Sequence, residues 1–276
     1  MAPILLHLLA ALLYTGLAVH AWHNRWRGPA LSSPRRGAST TERLLLLAAL
    51  LVHAITLRMD IFDGSTLRFG FAIALSGMLW LAIMFYWIES FYAGMEGLQV
   101  LGLPVAAVCV VLPTLAPEQH VLVNAGSAAF RIHIVVAMLA YSLFTLAALH
   151  ALLMAAMEKR LHSGRLSPLL ASLPPLLTME ALLFRLIHVA FVLLTVTLIS
   201  GILFSETLFG RALRFDHKTV FAITSWLIFA ALLIGRHLRG WRGRLALRWT
   251  LTGFAALLLA YVGSRFVVEV ILGRTA

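Results

Sequence analysis

The sequence predicts an all-α, polytopic integral membrane bundle of about eight transmembrane helices, and three observations support this fold class. Hydrophobic residues make up 61% of the 276 positions, charged residues make up only 12%, and the mean hydropathy is +0.94. A soluble domain is usually about a quarter charged, so this chain would expose apolar surface to water. The apolar residues also form uncharged stretches close to the ~20 residues that one bilayer crossing needs.

Eight such stretches follow one another along the chain. They lie at 3–22, 42–59, 69–88, 98–116, 130–157, 182–204, 218–236 and 247–270. The first has no charged leading region and no small-residue cleavage site, so we expect a retained span rather than a signal peptide. The second has only 14 uncharged residues between Arg43 and Arg58, so we expect both arginines at the lipid headgroups. The other six are bounded by short loops, so we expect one membrane domain over 1–276, with four-helix halves at 1–128 and 129–276.

The distribution of positive charge predicts how the bundle is oriented. Fourteen of the 22 Lys and Arg residues fall on one side of the predicted spans. The positive-inside rule places that side in the cytoplasm, so both termini are expected to be extracytoplasmic. The net charge of +11 comes from short arginine clusters between apolar runs rather than from one basic face, which excludes nucleic acid as a partner. We therefore expect lipids as the surroundings and the bacterial inner membrane as the location.

Histidines supply the candidate binding residues. An imidazole inside a membrane normally faces the bundle interior and marks a functional site, and imidazole nitrogen is a common axial ligand of haem iron. By depth, His53, His133 and His217 gather toward the outer half of the bundle, whereas His188 and His237 form a second group on the inner half. Because sequence gives depth but not which helices touch, both groupings are hypotheses.

A polar stripe runs along the second predicted helix. His53, Thr56 and Asp60 share one face by their i, i+3, i+7 spacing. For His7 we favour packing near the membrane interface, and for His150 we favour a hydrogen bond in the bundle interior.

Several other chemistries are excluded or disfavoured. Cys109 is the only cysteine and lies in an apolar run, so the chain contains neither a disulfide nor a CxxCH site for covalent haem. The sequence has no Ser/His/Asp triad, phosphate-binding loop or HExxH motif, so hydrolytic and nucleotide-driven activities are disfavoured. We therefore assign no catalytic residue.

From about Arg131 to the C-terminus the chain carries motifs in a fixed order. In "HIVVAMLAYSLF", His133 opens a helix and Tyr141 follows eight residues later. "TSWLIF", which contains Trp226, and "GWRGRLA" come next. In order and spacing these motifs resemble the cytochrome c assembly family, the membrane haem-handling proteins of the CcsA and CcmC type. The resemblance covers about half the chain well and is closest to the divergent HemX-like or YpjD-like branch.

The chain departs from the family pattern in the outer loop that is rich in tryptophan in CcsA-like members. Phe209, Leu213 and Phe215 stand where those members have indoles. Asp216 is retained, but His217 stands in place of a proline. The indole platform is associated with delivery of haem to apocytochrome c, so the departures bear on that step.

The resemblance implies a haem b held non-covalently at the outer side of the bundle. His133 and His217 would be the axial ligands of its iron. Asp216 would orient His217, whereas Lys218 and Arg214 would meet the haem propionates through charge-assisted contacts. The alternative interpretation of "RFDHK" is an interfacial helix cap, with Asp216 as the N-cap residue.

Three classes of function stay open. The first, which we favour, is a haem-binding protein that handles, senses or chaperones haem for cytochrome maturation, with other membrane or cytochrome-assembly proteins as partners. The second is a non-catalytic regulator or accessory subunit, of haem biosynthesis or of a transporter, in which the histidines are structural. The third is a cytochrome b-like electron-transfer protein with two stacked haems. The first and third require a pigment, and the second does not.

Overall fold

We describe the protein from a computed structural model that covers residues 2–26, 38–63, 66–95, 97–115, 120–121, 127–162, 173–209 and 217–263. Over these residues eight α-helices are long and apolar enough to cross a membrane, which confirms the predicted multi-pass helical class. The helices are α1 (Ala2–Ala21), α2 (Thr40–Ile61), α3 (Phe71–Glu89), α4 (Leu98–Leu115), α5 (Ala128–His162), α6 (Leu176–Phe209), α7 (His217–Arg239) and α8 (Arg244–Leu258). Two π-helical turns, Trp22–Trp26 and Leu259–Gly263, extend α1 and α8.

Among the helices that are longer than predicted, two extend past charged residues that are paired with other helices. α6 begins six residues before the predicted 182, since Glu180 is held by an ion pair with Arg236 of α7. α5 continues five residues past the predicted 157, since Glu158 accepts a hydrogen bond of 2.7 Å from Arg244 of α8. The predicted segment 264–270 of the last span lies outside the described residues.

The start of α2 is fixed by a capping box. The Ser39 hydroxyl accepts a hydrogen bond of 3.1 Å from the Glu42 amide, and the Ser39 amide donates one of 2.9 Å to the Glu42 carboxylate. These two bonds satisfy backbone and side-chain groups that a helix start otherwise leaves unpaired. At the same end Arg43 donates a bond of 2.7 Å to the Ser90 carbonyl and lies 4.7 Å from the Phe91 ring. The short second span is therefore anchored to the end of α3.

A small antiparallel sheet, which the sequence analysis did not predict, joins two of the connections between helices. Its strands are β1 (Phe62–Asp63), β2 (Thr66–Phe69) and β3 (His120–Val121), in that order. The register pairs Phe62 with Leu67 and Phe69 with His120. The sheet therefore ties the connection between α2 and α3 to the connection between α4 and α5.

The core is continuous across both predicted halves of the chain. One cluster of buried apolar side chains includes residues from every one of the eight helices. α5 has a central position, since it packs against α3, α6 and α8. It also meets α7 where the rings of Phe144 and Phe229 stack with centroids 3.9 Å apart. The division into halves at 128 and 129 stays a prediction.

The turn between α7 and α8 explains the glycines of the "GWRG" motif. Gly240 and Gly243 have φ angles of +64° and +60°, which glycine adopts at no steric cost. Between them Trp241 folds back onto α7, where a Cβ added to Gly235 would lie only 2.4 Å from the indole. Arg236 donates to the Glu180 carboxylate and to the Trp241 carbonyl, so the turn is tied to α6.

The predicted orientation can be tested with two reporters. If the charge count is right, a reporter fused after Ala276 is active only outside the cytoplasm, because an even number of spans returns the chain to its starting side. A reporter inserted after Ser33 should then be active only inside. The reverse pattern for both fusions would overturn the orientation and move His133 to the cytoplasmic face.

Candidate functional site

His133 lies in the second turn of α5 and is half-buried against α6. Its Nδ1 atom is 2.8 Å from the Ser200 hydroxyl, which also lies 2.7 Å from the Val196 carbonyl and 3.1 Å from the Thr197 carbonyl. When the Ser200 proton goes to one of these carbonyls, the hydroxyl oxygen accepts from Nδ1–H of His133. That neutral tautomer carries its lone pair on Nε2, the form that a metal ligand needs.

The sequence analysis missed the residues of α6 that hold this site. Trp226 of the "TSWLIF" motif donates from Nε1 to the Thr195 hydroxyl at 2.9 Å and stacks on Phe191 with centroids 5.5 Å apart. His133 and Trp226, on two different helices, therefore both bond to α6, through Ser200 and Thr195. The signal for these partners was the run "TVTLIS", in which hydroxyl residues recur inside an otherwise apolar span.

Contacts between three aromatic rings connect α5 to the small antiparallel sheet. The ring of Tyr141 meets that of Tyr261, with centroids 6.4 Å apart. Tyr261 in turn meets Phe69 of β2 at 6.3 Å. The tyrosine of the His133 motif is thus connected to the sheet that joins two of the connections between helices.

His217 and Lys218 are placed at the start of α7, with His217 exposed and Lys218 half-buried. Arg214 and Asp216 lie outside the described residues. The pairing of His133 with His217 on one iron therefore stays a prediction, as do the roles of Asp216, Lys218 and Arg214.

His53 is completely buried and both of its ring nitrogens are occupied. Nδ1 lies 3.1 Å from the Tyr14 hydroxyl of α1, and Nε2 lies 2.9 Å from the Ser76 hydroxyl of α3. Coordination of a metal would break one of these two hydrogen bonds. The arrangement favours His53 as a structural junction of three helices over the axial ligand that depth alone suggested.

The polar stripe on α2 faces α1 as an antiparallel ladder. Seven residues separate His53 from Asp60, and seven separate His7 from Tyr14, so both pairs of side chains meet. His7 donates to the Asp60 carboxylate at 3.0 Å, next to the bond between Tyr14 and His53. Two hydrogen-bonded pairs of side chains therefore fix the register of α1 against α2.

The inner histidines His188 and His237 are both exposed. Nδ1 of His188 donates to the Phe184 carbonyl of its own helix at 2.6 Å. The guanidinium of Arg236 lies 4.5 Å from the Phe184 ring, so neighbouring turns of α6 and α7 carry the two histidines. Among the described residues neither imidazole bonds the other.

His150 makes the interior hydrogen bond that the sequence analysis favoured. Its Nε2 lies 3.0 Å from the Glu89 carboxylate, and both side chains are buried. In the part of the chain that the structure describes, no group of three or more His, Cys, Asp or Glu side chains is arranged to hold a metal ion.

Eight apolar helices, with buried histidines hydrogen-bonded between them, define a multi-pass membrane protein. The chain belongs to the cytochrome c assembly protein family, whose model matches residues 38–272. This confirms the resemblance seen in the motifs, and it places the protein among membrane proteins associated with haem handling. α1 lies outside the matched residues.

Curated relatives extend the comparison. The chain is 31% identical to the inner membrane protein YpjD of Escherichia coli K12 over 166 residues, which are 60% of this chain and 62% of YpjD. It is 37% identical to a 28.8 kDa protein of Azospirillum brasilense over 144 residues, 51% of this chain and 52% of that protein. It is 39% identical to the cytochrome c biogenesis protein CcsA of Prochlorococcus marinus MIT 9515 over 88 residues, 32% of this chain and 28% of CcsA.

These alignments cover less than two thirds of each of these relatives. No solved structure matches the chain. Together with the eight apolar helices of the described residues, the likeness to an inner membrane protein confirms the predicted multi-pass location in an inner membrane.

Proposed function

We propose that the protein binds haem b non-covalently at the outer end of the bundle, with His133 Nε2 as an axial ligand. Through this haem it takes part in haem handling for cytochrome assembly, together with membrane-associated assembly proteins. The single observation that carries the proposal is the hydrogen bond of 2.8 Å between His133 Nδ1 and the Ser200 hydroxyl, because the tautomer that donates through Nδ1 has its lone pair on Nε2. When bound, the haem supplies a redox-active iron with exchangeable axial positions.

The residues present fit a haem in three respects. A porphyrin supplies four nitrogens, so one or two imidazoles complete the coordination of its iron. In the Nδ1–H tautomer His133 donates to the Ser200 hydroxyl, and a hydrogen bond of this kind raises the basicity of a metal-bound histidine. Cys109 is buried inside α4, which fits non-covalent binding.

His217 is the second ligand that we propose, since it begins α7 beside the loop where the family carries its tryptophans. Asp216 would then orient its ring, and Lys218 and Arg214 would bond to the propionates. Charged groups of this kind form strong hydrogen bonds to carboxylates at a partly dry surface.

The test is the visible spectrum of the protein purified in mild detergent, alone and after reconstitution with hemin. Two imidazole ligands make the iron six-coordinate and low-spin, with sharp α and β bands on reduction. Acid–acetone should extract all of the haem, because the lone cysteine rules out a CxxCH attachment. A colourless protein that also fails to take up hemin would reject the proposal.

Ser200→Ala gives a sharper test of how His133 is held. Without the acceptor the imidazole becomes a weaker base, so the ferric state loses stabilisation and the reduction potential of the haem should rise. Thr197→Val is the matched control, because Thr197 donates to a carbonyl of its own helix at 2.8 Å. If the haem has the same reduction potential in the wild type and in Ser200→Ala, the hydrogen bond between His133 and Ser200 does not affect the iron.

Two further functions have one supporting observation each. A regulatory or accessory role is favoured by His7, His53 and His150, which hydrogen-bond to protein side chains as structural histidines do. Electron transfer between two haems is favoured by His188 and His237, which lie on neighbouring turns of the opposite end. The haem content per chain distinguishes the three functions. The regulatory role predicts no haem, haem handling predicts one, and electron transfer predicts two.

A further inference from the structure

A groove of about 580 Å³ runs between α1 and α4, and His133 of the proposed haem site does not line it. It exists because small side chains face each other across the two helices. On α1 these are Thr15 and Ala18, and on α4 they are Pro104 and Ala107. The volume is within the range of about 300–1,000 Å³ that is typical of small-molecule sites.

The groove runs along the axes of α1 and α4. One end lies at Trp22 and His23, where α1 passes into its π-helical turn, and the other end lies near Thr15 and Val108. Seven residues separate Thr15 from Trp22, which is about 10 Å along a helix. The hydrocarbon of one leaflet is about 15 Å deep, so the groove accommodates most of the depth that an acyl chain crosses.

The walls of the groove select for an apolar chain that enters from the lipid. Val19 is 52% exposed and Val108 is 63% exposed, so the groove opens sideways into the bilayer. His23 is the only ionisable residue among those that line it, and it lies at the interface end. A ligand with a polar group in its middle would find few partners there, whereas a hydrocarbon chain with a polar end matches the lining.

The sequence that follows the end of the groove at Trp22 and His23 is basic. The segment from 23 to 43 contains five arginines and one acidic residue, Glu42, so its formal net charge is +4. Glu42 is engaged by His20 at 3.2 Å and by the Ser39 amide at 2.9 Å. A basic cluster directly beside a membrane span attracts anionic lipid headgroups, by about 1 kcal/mol for each Lys or Arg.

We propose that this groove is a binding site for one anionic phospholipid, with an acyl chain between α1 and α4 and the headgroup at the end marked by Trp22 and His23. Aromatic side chains such as Trp22 are typical of the headgroup level. The site does not depend on the proposed haem function, because the groove lies on α1 and α4 whereas His133 lies on α5. One of its two walls, α1, also lies outside the residues that match the family model.

Native mass spectrometry of the full chain tests the proposal after reconstitution with equal amounts of phosphatidylglycerol and phosphatidylcholine. We expect one retained phosphatidylglycerol per chain, several times more abundant than retained phosphatidylcholine. Val108→Trp fills the groove from α4 and Thr15→Trp fills it from α1, so both should lose the retained lipid. Because Val108 and Thr15 are exposed, neither substitution disturbs the core.

Val105→Trp is the matched control, because Val105 is an exposed valine of the same helix (44%) that does not line the groove. It should keep the lipid. Retention of phosphatidylglycerol by both groove variants at the wild-type level would overturn the site. Equal retention of the two lipids by the wild type would overturn the preference for anionic headgroups. Loss of lipid from the control as well would show that the groove is not the place of binding.

Discussion

Replacing His133 by alanine should remove most of the haem from the purified protein while the bundle stays folded. The imidazole is half-buried near the start of α5, so it contributes little to the packing of the core. Its loss would remove the proposed axial ligand, and the Ser200 hydroxyl that it bonded keeps its own carbonyl partners. Haem content per chain, from the pyridine haemochrome spectrum, measures the effect, and thermal unfolding monitors the fold.

His133→Gly with added imidazole separates a ligand from a structural residue. A free imidazole can occupy the space of the missing ring and bind the iron, so haem content and the low-spin spectrum should recover. A purely structural histidine would give no such spectral rescue. Full haem in His133→Ala would contradict the assignment outright.

The second ligand can be found by the same measurement. His217→Ala should shift the spectrum toward five-coordinate, high-spin iron if both imidazoles hold one haem. His53→Ala is the informative comparison, because His53 bonds to Tyr14 and Ser76 and should affect stability rather than the spectrum. If His217→Ala is silent and His53→Ala changes the spectrum, the haem lies deeper and the "RFDHK" segment is a helix cap.

The positions of the helices could be predicted because lipid demands long apolar runs, and the sequence marks their ends with charge. The same rule misplaced the start of α6, where Glu180 was taken as lying outside the span. A carboxylate can remain inside a helix when a cation from a neighbouring helix meets it, as Arg236 does. The small antiparallel sheet was not predicted because its strands have only two to four residues. The dipeptide Asp63–Gly64, a common hairpin signal, was present in the sequence.

The site could be predicted only in part because a sequence gives depth along each helix but not which helices are neighbours. The stripe of His53 and Asp60 was predicted from spacing, but its partners Tyr14 and His7 follow only from the contact between α1 and α2. Ser200 could not be assigned to His133 for the same reason, since 67 residues separate them. What distinguishes the two histidines is therefore their neighbours: His53 bonds the hydroxyls of Tyr14 on α1 and Ser76 on α3, whereas His133 bonds the Ser200 hydroxyl of α6.

Breaking the buried pair of Glu89 and His150 should cause the largest loss of stability. Both groups are less than 5% exposed and lie 3.0 Å apart between α3 and α5. His150→Leu leaves the carboxylate of Glu89 buried without its partner, which should lower the free energy of unfolding by about 3–5 kcal/mol. The double variant Glu89→Leu/His150→Leu should recover most of that loss, because two apolar side chains replace two buried polar ones. It also removes Nδ1 of His150, a buried atom without a hydrogen-bond partner among the described residues.

Denaturation in mixed detergent micelles at pH 7 measures these free energies. The matched control is Arg244→Gln, which removes the partner of Glu158 on the same helix, α5. Arg244 is 58% exposed and Glu158 is 25% exposed, so water replaces the lost contact and the cost should stay below about 1 kcal/mol. A double variant as unstable as His150→Leu would trace the loss to packing around the imidazole instead of to the stranded carboxylate. Equal losses in His150→Leu and Arg244→Gln would show that burial does not set the strength of these ion pairs.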